Sequence, residues 1–260
     1  MQAKYKTDSA PTILAVDTAS KLTSIALSRG DQVIALFGAS LDERRSVRLW
    51  AEVEFLLGES EVALKDVDLF AACTGPGGFT GLRVGIAAIK GLAQAVGRPV
   101  VGITSLEAAA FASQPARRVC SMVNAYKGEV YSQLFSFDEA GIPVSENEPV
   151  ATEAIAAAER VTAFDEMVFA GDAVTCSLEA IGQIGGLRFV SDGRGSSGWI
   201  ARPSKEFLAG EIARLAFLKF ERGDTIEPQE LRACYVRQAE AEVKLSLGLV
   251  GTKIRKNMGL

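Results

Sequence analysis

The sequence predicts an α/β fold built twice over, as two lobes of βββαβα order. Three observations predict it. Short apolar runs of strand length alternate with longer segments of helical periodicity. Each half opens on a strand that ends in a polar residue, Asp17 in the first and Asn124 in the second, and continues into a meander. The chain has 260 residues, 48% hydrophobic and 23% charged, the balance of a globular protein with room for one large domain or two of ordinary size.

The first lobe reads in order. Thr12 to Asp17 is a short apolar run of buried-strand type. Thr23 to Ser28, the turn Arg29-Gly30-Asp31 and Gln32 to Phe37 complete a three-strand meander. A helix is expected from Arg44 to Leu57, stopped by Gly58, then a buried strand over Val67 to Cys73. A glycine-rich turn leads to a second helix, Thr80 to Val96, stopped by Gly97 before Arg98-Pro99. Val100 to Ile103 is strand-like, and Ser105 opens a helix through Ala112.

The second lobe follows the same plan. Val119 to Val123 is a strand ending at Asn124, Glu129 to Phe137 is the next, and Ile142 to Val150 the third. Helices are expected at Glu153 to Glu159 and Thr175 to Ile184, with a strand at Met167 to Ala170 between them. Ser204 to Arg222 is a strongly periodic helix, and Pro228 opens a shorter segment. The repeat is the signature of the duplicated actin-like, sugar-kinase-like fold (ASKHA), with lobes at 1–112 and 113–233 and an extension at 234–260.

Composition excludes much chemistry. There is no histidine, which removes the commonest general base and metal ligand, and with it Ser-His-Asp and Cys-His nucleophile systems. The four cysteines are far apart and suggest no metal site. A peptidase reading has neither histidine nor a paired-carboxylate motif behind it. A net charge of −4 argues against a large nucleic-acid surface, although five of the 28 basic side chains and only two of the 32 acidic ones fall from Cys234 onward. The first dozen residues lack the apolar core of a secretory signal. No run approaches the ~18 apolar residues of a membrane span. A cytoplasmic location, with no membrane association, is the expectation.

Three features single the chain out. The segment Thr74 to Gly85, TGPGGFTGLRVG, joins a buried strand to a helix. It fits two roles: a tight strand–helix turn, or an anion cradle at a helix N-terminus with Thr80 as N-cap. It lacks the Gly-Lys-Ser/Thr of a Walker loop. Second, Asp17 is followed by Thr18-Ala19-Ser20, without the glycine that lets phosphate sit against this turn in actin-like kinases. A small-molecule kinase or ATPase of that class is therefore the weaker reading. Third, two helices are too apolar for one buried face. Between Thr80 and Val96 the only long polar side chains are Arg83, Lys90 and Gln94, in one narrow stripe. In the first helix Arg48 and Glu52 form a similar narrow remainder, and Glu54 interrupts the apolar arc. The excess predicts a helix-on-helix contact between subunits, formed by Val47, Trp50, Val53, Leu57, Leu82, Gly85, Ala88 and Leu92, ahead of the alternative that the second half of the same chain covers both helices.

Several stretches together resemble the TsaB (YeaZ) family: Ile13 to Ala19, Gly75 to Gly85, PVVGITSLEA from Pro99 to Ala108, Lys127 to Tyr131, and Tyr235-Val236-Arg237. The resemblance spans nearly the whole chain, and GPGGFTGLRVG is its most specific part. It implies a two-lobed actin-like fold and a non-catalytic scaffold for TsaD, the subunit that transfers threonylcarbamoyl to the adenosine beside the tRNA anticodon. It further implies a heterodimer with TsaD through the two first-lobe helices, a homodimer when TsaD is absent, and TsaE as a further partner. Contact with tRNA would come only through that complex. An ATP or ADP at the subunit interface would touch Gly77, Gly78 and Thr80. Two departures stand out: Gly78 replaces the family's usual serine, and Arg44-Arg45-Ser46-Val47 stands where a His-Ser pair often opens the first helix. The tail after Arg237 is also longer than the family pattern.

Overall fold

The computed structural model describes residues 10–20, 22–40, 45–126, 128–186, 189–190, 198–203 and 207–237. Strands β1 (Thr12–Asp17), β2 (Leu22–Arg29) and β3 (Gln32–Ser40) form the first meander. Helix α1 (Arg45–Glu59), β4 (Leu69–Cys73), α2 (Phe79–Val96) and β5 (Val100–Ile103) complete a five-stranded sheet of order β3-β2-β1-β4-β5. Strands β1, β4 and β5 are parallel, while β1, β2 and β3 run antiparallel. Every residue of β4 is buried, and Ile13, Leu14 and Ala15 of β1 are inaccessible to solvent. Continuous apolar runs of this kind are what a sheet covered on both faces requires.

The second sheet repeats the topology. Helix α3 (Ser105–Ala112) leads to β6 (Val119–Asn124) and β7 (Glu129–Phe137). The third expected strand, Ile142 to Val150, divides into β8 (Pro143–Ser145) and β9 (Val150–Glu153), which pair with opposite ends of β7. Asn147 marks the break: its carbonyl and side chain accept bonds from Gln133 and the Leu134 amide, replacing the ladder. Helix α4 (Ala154–Glu159), β10 (Met167–Gly171) and α5 (Val174–Gly185) follow. Strands β11 (Phe189–Val190) and β12 (Trp199–Pro203) extend the sheet beyond β10 and were not read from the sequence. Trp199 anchors β12, fully buried, its ring tilted against that of Phe169 with centroids 5.1 Å apart and its indole N–H donated to the Phe164 carbonyl. Helix α6 (Ala209–Glu221) is shorter than the expected Ser204 to Arg222, of which residues 204–206 lie outside the described residues.

Two helices tie the halves together. Helix α6 packs across β1 to β5, although it follows the second sheet in sequence, and α3 packs on β6, β7 and β10. The layers are α1/α2, the first sheet, α6 with α3, the second sheet, and α4/α5. The duplicated actin-like order is thus realised, with α1 and α2 as the outermost layer of the first lobe.

Glu107 links the two middle helices. One of its carboxylate oxygens accepts from the Thr104 amide in a capping box, and the other accepts from Lys219 of α6 at 2.8 Å. Both partners of the ion pair are largely withdrawn from solvent. Glu107→Ala is expected to cost about 2 kcal/mol, and Glu107→Gln, which keeps the box, roughly half of that. Urea midpoints of the two variants check this.

Candidate functional site

The glycine-rich loop is held on three sides by the chain itself. The Gly78 amide donates to the Ala19 carbonyl at 2.7 Å, and a Cβ on Gly77 would stand 2.4 Å from that same oxygen. The Ser105 amide donates to the Gly75 carbonyl, and the Ser105 hydroxyl to the Pro76 carbonyl. The Cys234 amide donates to the Thr74 carbonyl. Gly75, at φ +92°, takes a backbone conformation that side chains disfavour. Helix α2 begins one residue earlier than expected, with Gly78 rather than Thr80 as its N-cap and no side-chain cap. Gly77 and Gly78 are half-buried, whereas Phe79 and Thr80 are exposed. The loop can therefore meet a ligand from outside, at Gly78 and Thr80, while the inner side of Gly77 is filled by Ala19.

The turn after β1 is closed in the same way. Asp17 is buried, and its carboxylate accepts from the Ala19 amide at 2.9 Å and from the Ser20 hydroxyl at 2.8 Å. Thr18 donates to the Gly81 carbonyl, and a Cβ on Gly85 would lie 2.2 Å from the Thr18 hydroxyl oxygen. Gly85, expected to admit a neighbouring helix, instead admits Thr18. At the mirror position Asn124 accepts from the Tyr126 amide, and its own amide donates to Asp172.

Burial pushes the Asp17 carboxyl pKa up, outweighing the hydrogen bonds that favour its charge. A raised folded-state value means that its stabilising contribution is present below the ordinary carboxylate range and lost as pH rises through the raised value. Asp17→Asn should keep the Ala19 bond and escape that loss. The stability difference between variant and parent is expected to shift in the variant's favour between pH 4 and pH 8, read as urea midpoints at both.

The helix pair α1/α2 carries the larger surface. Val53, Leu57, Leu82, Gly85, Ala88 and Leu92, all expected at a subunit contact, are buried inside the first lobe against their own chain. Trp50 is not: it is 51% exposed and lies over α2, 4.0 Å from where a Cβ on Gly91 would be. The side chain of Val47 lies outside the described residues. The apolar and small residues that reach solvent are Trp50, Ala51 and Phe55 of α1, with exposed Glu54 among them, and Ala87, Gly91 and Ala95 of α2, flanked by exposed Gln94. Phe55 is 57% exposed and meets Phe37 of β3 edge-on. Ala87, Gly91 and Ala95 recur every fourth residue, a stripe with no side chain longer than a methyl group. That spacing was available in the sequence; what hid it was the uniform apolarity of α2, whose buried positions look the same.

Among the described residues no group of three or more His, Cys, Asp or Glu could hold a metal ion, and no helix is long and apolar enough to cross a membrane.

Comparison with known proteins agrees with this architecture. Residues 41–174 match the family described as TsaD, tRNA N6-adenosine threonylcarbamoyltransferase. The chain is 31% identical over 238 residues to the tRNA threonylcarbamoyladenosine biosynthesis protein TsaB of Escherichia coli, covering 90% of this chain and 97% of that protein. It is 35% identical over 127 residues to TsaB of Bacillus subtilis, a match covering 48% of this chain and just over half, 56%, of that protein. Among solved structures, YeaZ from Pseudomonas aeruginosa superposes with a TM-score of 0.69 at 26% identity, covering 86% of this chain and 99% of that one. With the fold and a relative matched over 97% of its length in agreement, the chain belongs to the TsaB (YeaZ) family.

Proposed function

We propose that the chain takes part in threonylcarbamoyladenosine formation on tRNA as a scaffold subunit, not as the catalyst. Its partner is TsaD, the threonylcarbamoyltransferase, in a one-to-one heterodimer built on the outer face of α1 and α2. A homodimer uses the same face when TsaD is absent, and TsaE joins the assembly. The tRNA is met through the complex, in the cytoplasm. The observation that carries this reading is the solvent-facing patch of Trp50, Ala51, Phe55, Ala87, Gly91 and Ala95. Small residues at four-residue spacing let a second pair of helices approach closely, and the flanking aromatics supply the apolar area that such a contact buries.

The names of the relatives supply the pathway. The closed turn after Asp17 supports a scaffold over a kinase or ATPase. In a kinase of this fold that turn receives phosphate, and here the glycine-rich loop of the same chain fills it. An adenine nucleotide, ATP or ADP, belongs at the interface with the partner, approaching Gly78 and Thr80 from outside. The uncapped first turn of α2 suits phosphate there. Gly77 contributes packing to that site, not contact.

Reconstitution tests the proposal. Supplied with tRNA, ATP and threonylcarbamoyl-adenylate as donor, purified chain alone is expected to modify no tRNA, and addition of TsaD and TsaE is expected to give modification, with release of AMP, that depends on this chain. Modification by the chain alone would overturn the scaffold reading.

A further inference from the structure

After the 3-10 turn Pro228–Glu230 the chain runs on as an irregular strap to Arg237, and its contacts alternate between elements that are distant in sequence. Just before that turn Ile226 exchanges two backbone bonds with Val100 of β5. Lys90 of α2 donates to the carbonyls of Gln229 and Leu231. Leu231 is buried against Gly102, and the Cys234 amide closes on the Thr74 carbonyl at 2.7 Å. Tyr235 then joins a cluster on the first turns of α2. Its hydroxyl accepts from Arg83 Nε at 3.0 Å, its ring lies 5.5 Å from that of Phe79, and the Arg83 guanidinium sits 3.9 Å above the Phe79 ring.

Every element contacted to this point belongs to the first lobe. Two residues later Arg237 pairs with Glu129, the first residue of β7 in the second lobe. Glu129 stands beside the β6–β7 turn, where Tyr126 holds φ +62° and turns its hydroxyl toward Gly78. A non-glycine residue in this left-handed conformation costs about 1 kcal/mol or more and persists where its surroundings fix it. The β6–β7 turn therefore meets the first lobe twice, at the glycine-rich loop through Tyr126 and at the strap through Glu129.

We propose that residues 231–237 form a strap that couples the first turns of α2 to the β6–β7 hairpin, so that a displacement at Arg83 is transmitted to the second lobe. The coupling is a property of the chain by itself and does not depend on the partner assigned above. Hydrogen exchange of the full chain, resolved by mass spectrometry, tests it. Tyr235→Ala should speed exchange at least about fivefold in the strap and also in the hairpin peptide spanning residues 128–132. Arg237→Glu should speed the hairpin alone, and the pair Glu129→Arg with Arg237→Glu should return it to within about twofold of the parent. Faster exchange confined to 231–237 in Tyr235→Ala would overturn the coupling. So would a hairpin that stays as fast in the charge-swapped pair as in the single variant.

Discussion

Ala87→Glu, and separately Gly91→Glu, is expected to weaken the complex with TsaD by at least about 100-fold while leaving the first lobe folded. Both positions face solvent in the free chain, so a carboxylate there is hydrated before association and must be stripped of water on docking. Leaving one charge unpaired in an apolar contact costs on the order of 3 kcal/mol, which is about two decades in Kd. A Cβ at position 91 would stand at ordinary contact distance from Trp50, so the side chain is accommodated by the chain itself. Calorimetric titration with TsaD, beside a thermal melt showing little change in the free variant, checks the prediction. Val53→Glu and Ala88→Glu should behave differently. Those positions are 3% and 4% exposed, and a charge there should unfold the lobe before any interface is tested.

Gly77→Ala is the substitution expected to cost most stability for the fewest atoms. The added methyl carbon would lie 2.4 Å from the Ala19 carbonyl oxygen and 2.9 Å from two further Ala19 atoms. The obstacle is backbone, and that same oxygen receives the Gly78 amide, so it cannot move aside without breaking the bond. A loss of about 3 kcal/mol is expected, a fall of roughly 6–10 °C in Tm for a chain of this size. Gly58→Ala is the matched control. It lies near the end of α1 with nothing within 4 Å of the added carbon, and should be neutral or stabilise by up to about 1 kcal/mol. Differential scanning calorimetry of the two variants separates backbone collision from any general effect of replacing glycine.

The first lobe was legible because its elements carry their own punctuation. Gly97, in the left-handed conformation, ends α2 by donating to the carbonyls of Ala93 and Gln94, as the Gly-Arg-Pro run suggests. The capping box at Thr104 and Glu107 opens α3 one residue after the expected strand. The second lobe was less legible where strands are short and polar. Strand β9, Val-Ala-Thr-Glu, contains no buried residue, and β12 follows a run rich in serine and glycine and ends in Arg202-Pro203. The packing of α6 on the first sheet is a long-range fact that no local pattern encodes.

The surplus apolarity of α1 and α2 was legible in the sequence, but not which of their faces the chain itself covers. Helix α2 meets β4, β1, α1 and the turns at 64–66 and 228–230, so more than one side is covered within the chain. Apolarity all round the helix therefore reflects neighbours from the same molecule. What stays outside is the stripe of residues too small to reveal themselves by hydrophobicity, together with Trp50 and Phe55 of α1, two large side chains left half in water.

Hydroxyl-radical footprinting of the chain, free and mixed with TsaD, decides whether the outer face of α1 is the docking surface, because Trp50 and Phe55 are reactive aromatic side chains there. Oxidation of both is expected to fall several-fold in the complex, with Trp199, already buried, unreactive in either state. Trp50 and Phe55 oxidised as fast in the complex as in the free chain would place the partner elsewhere.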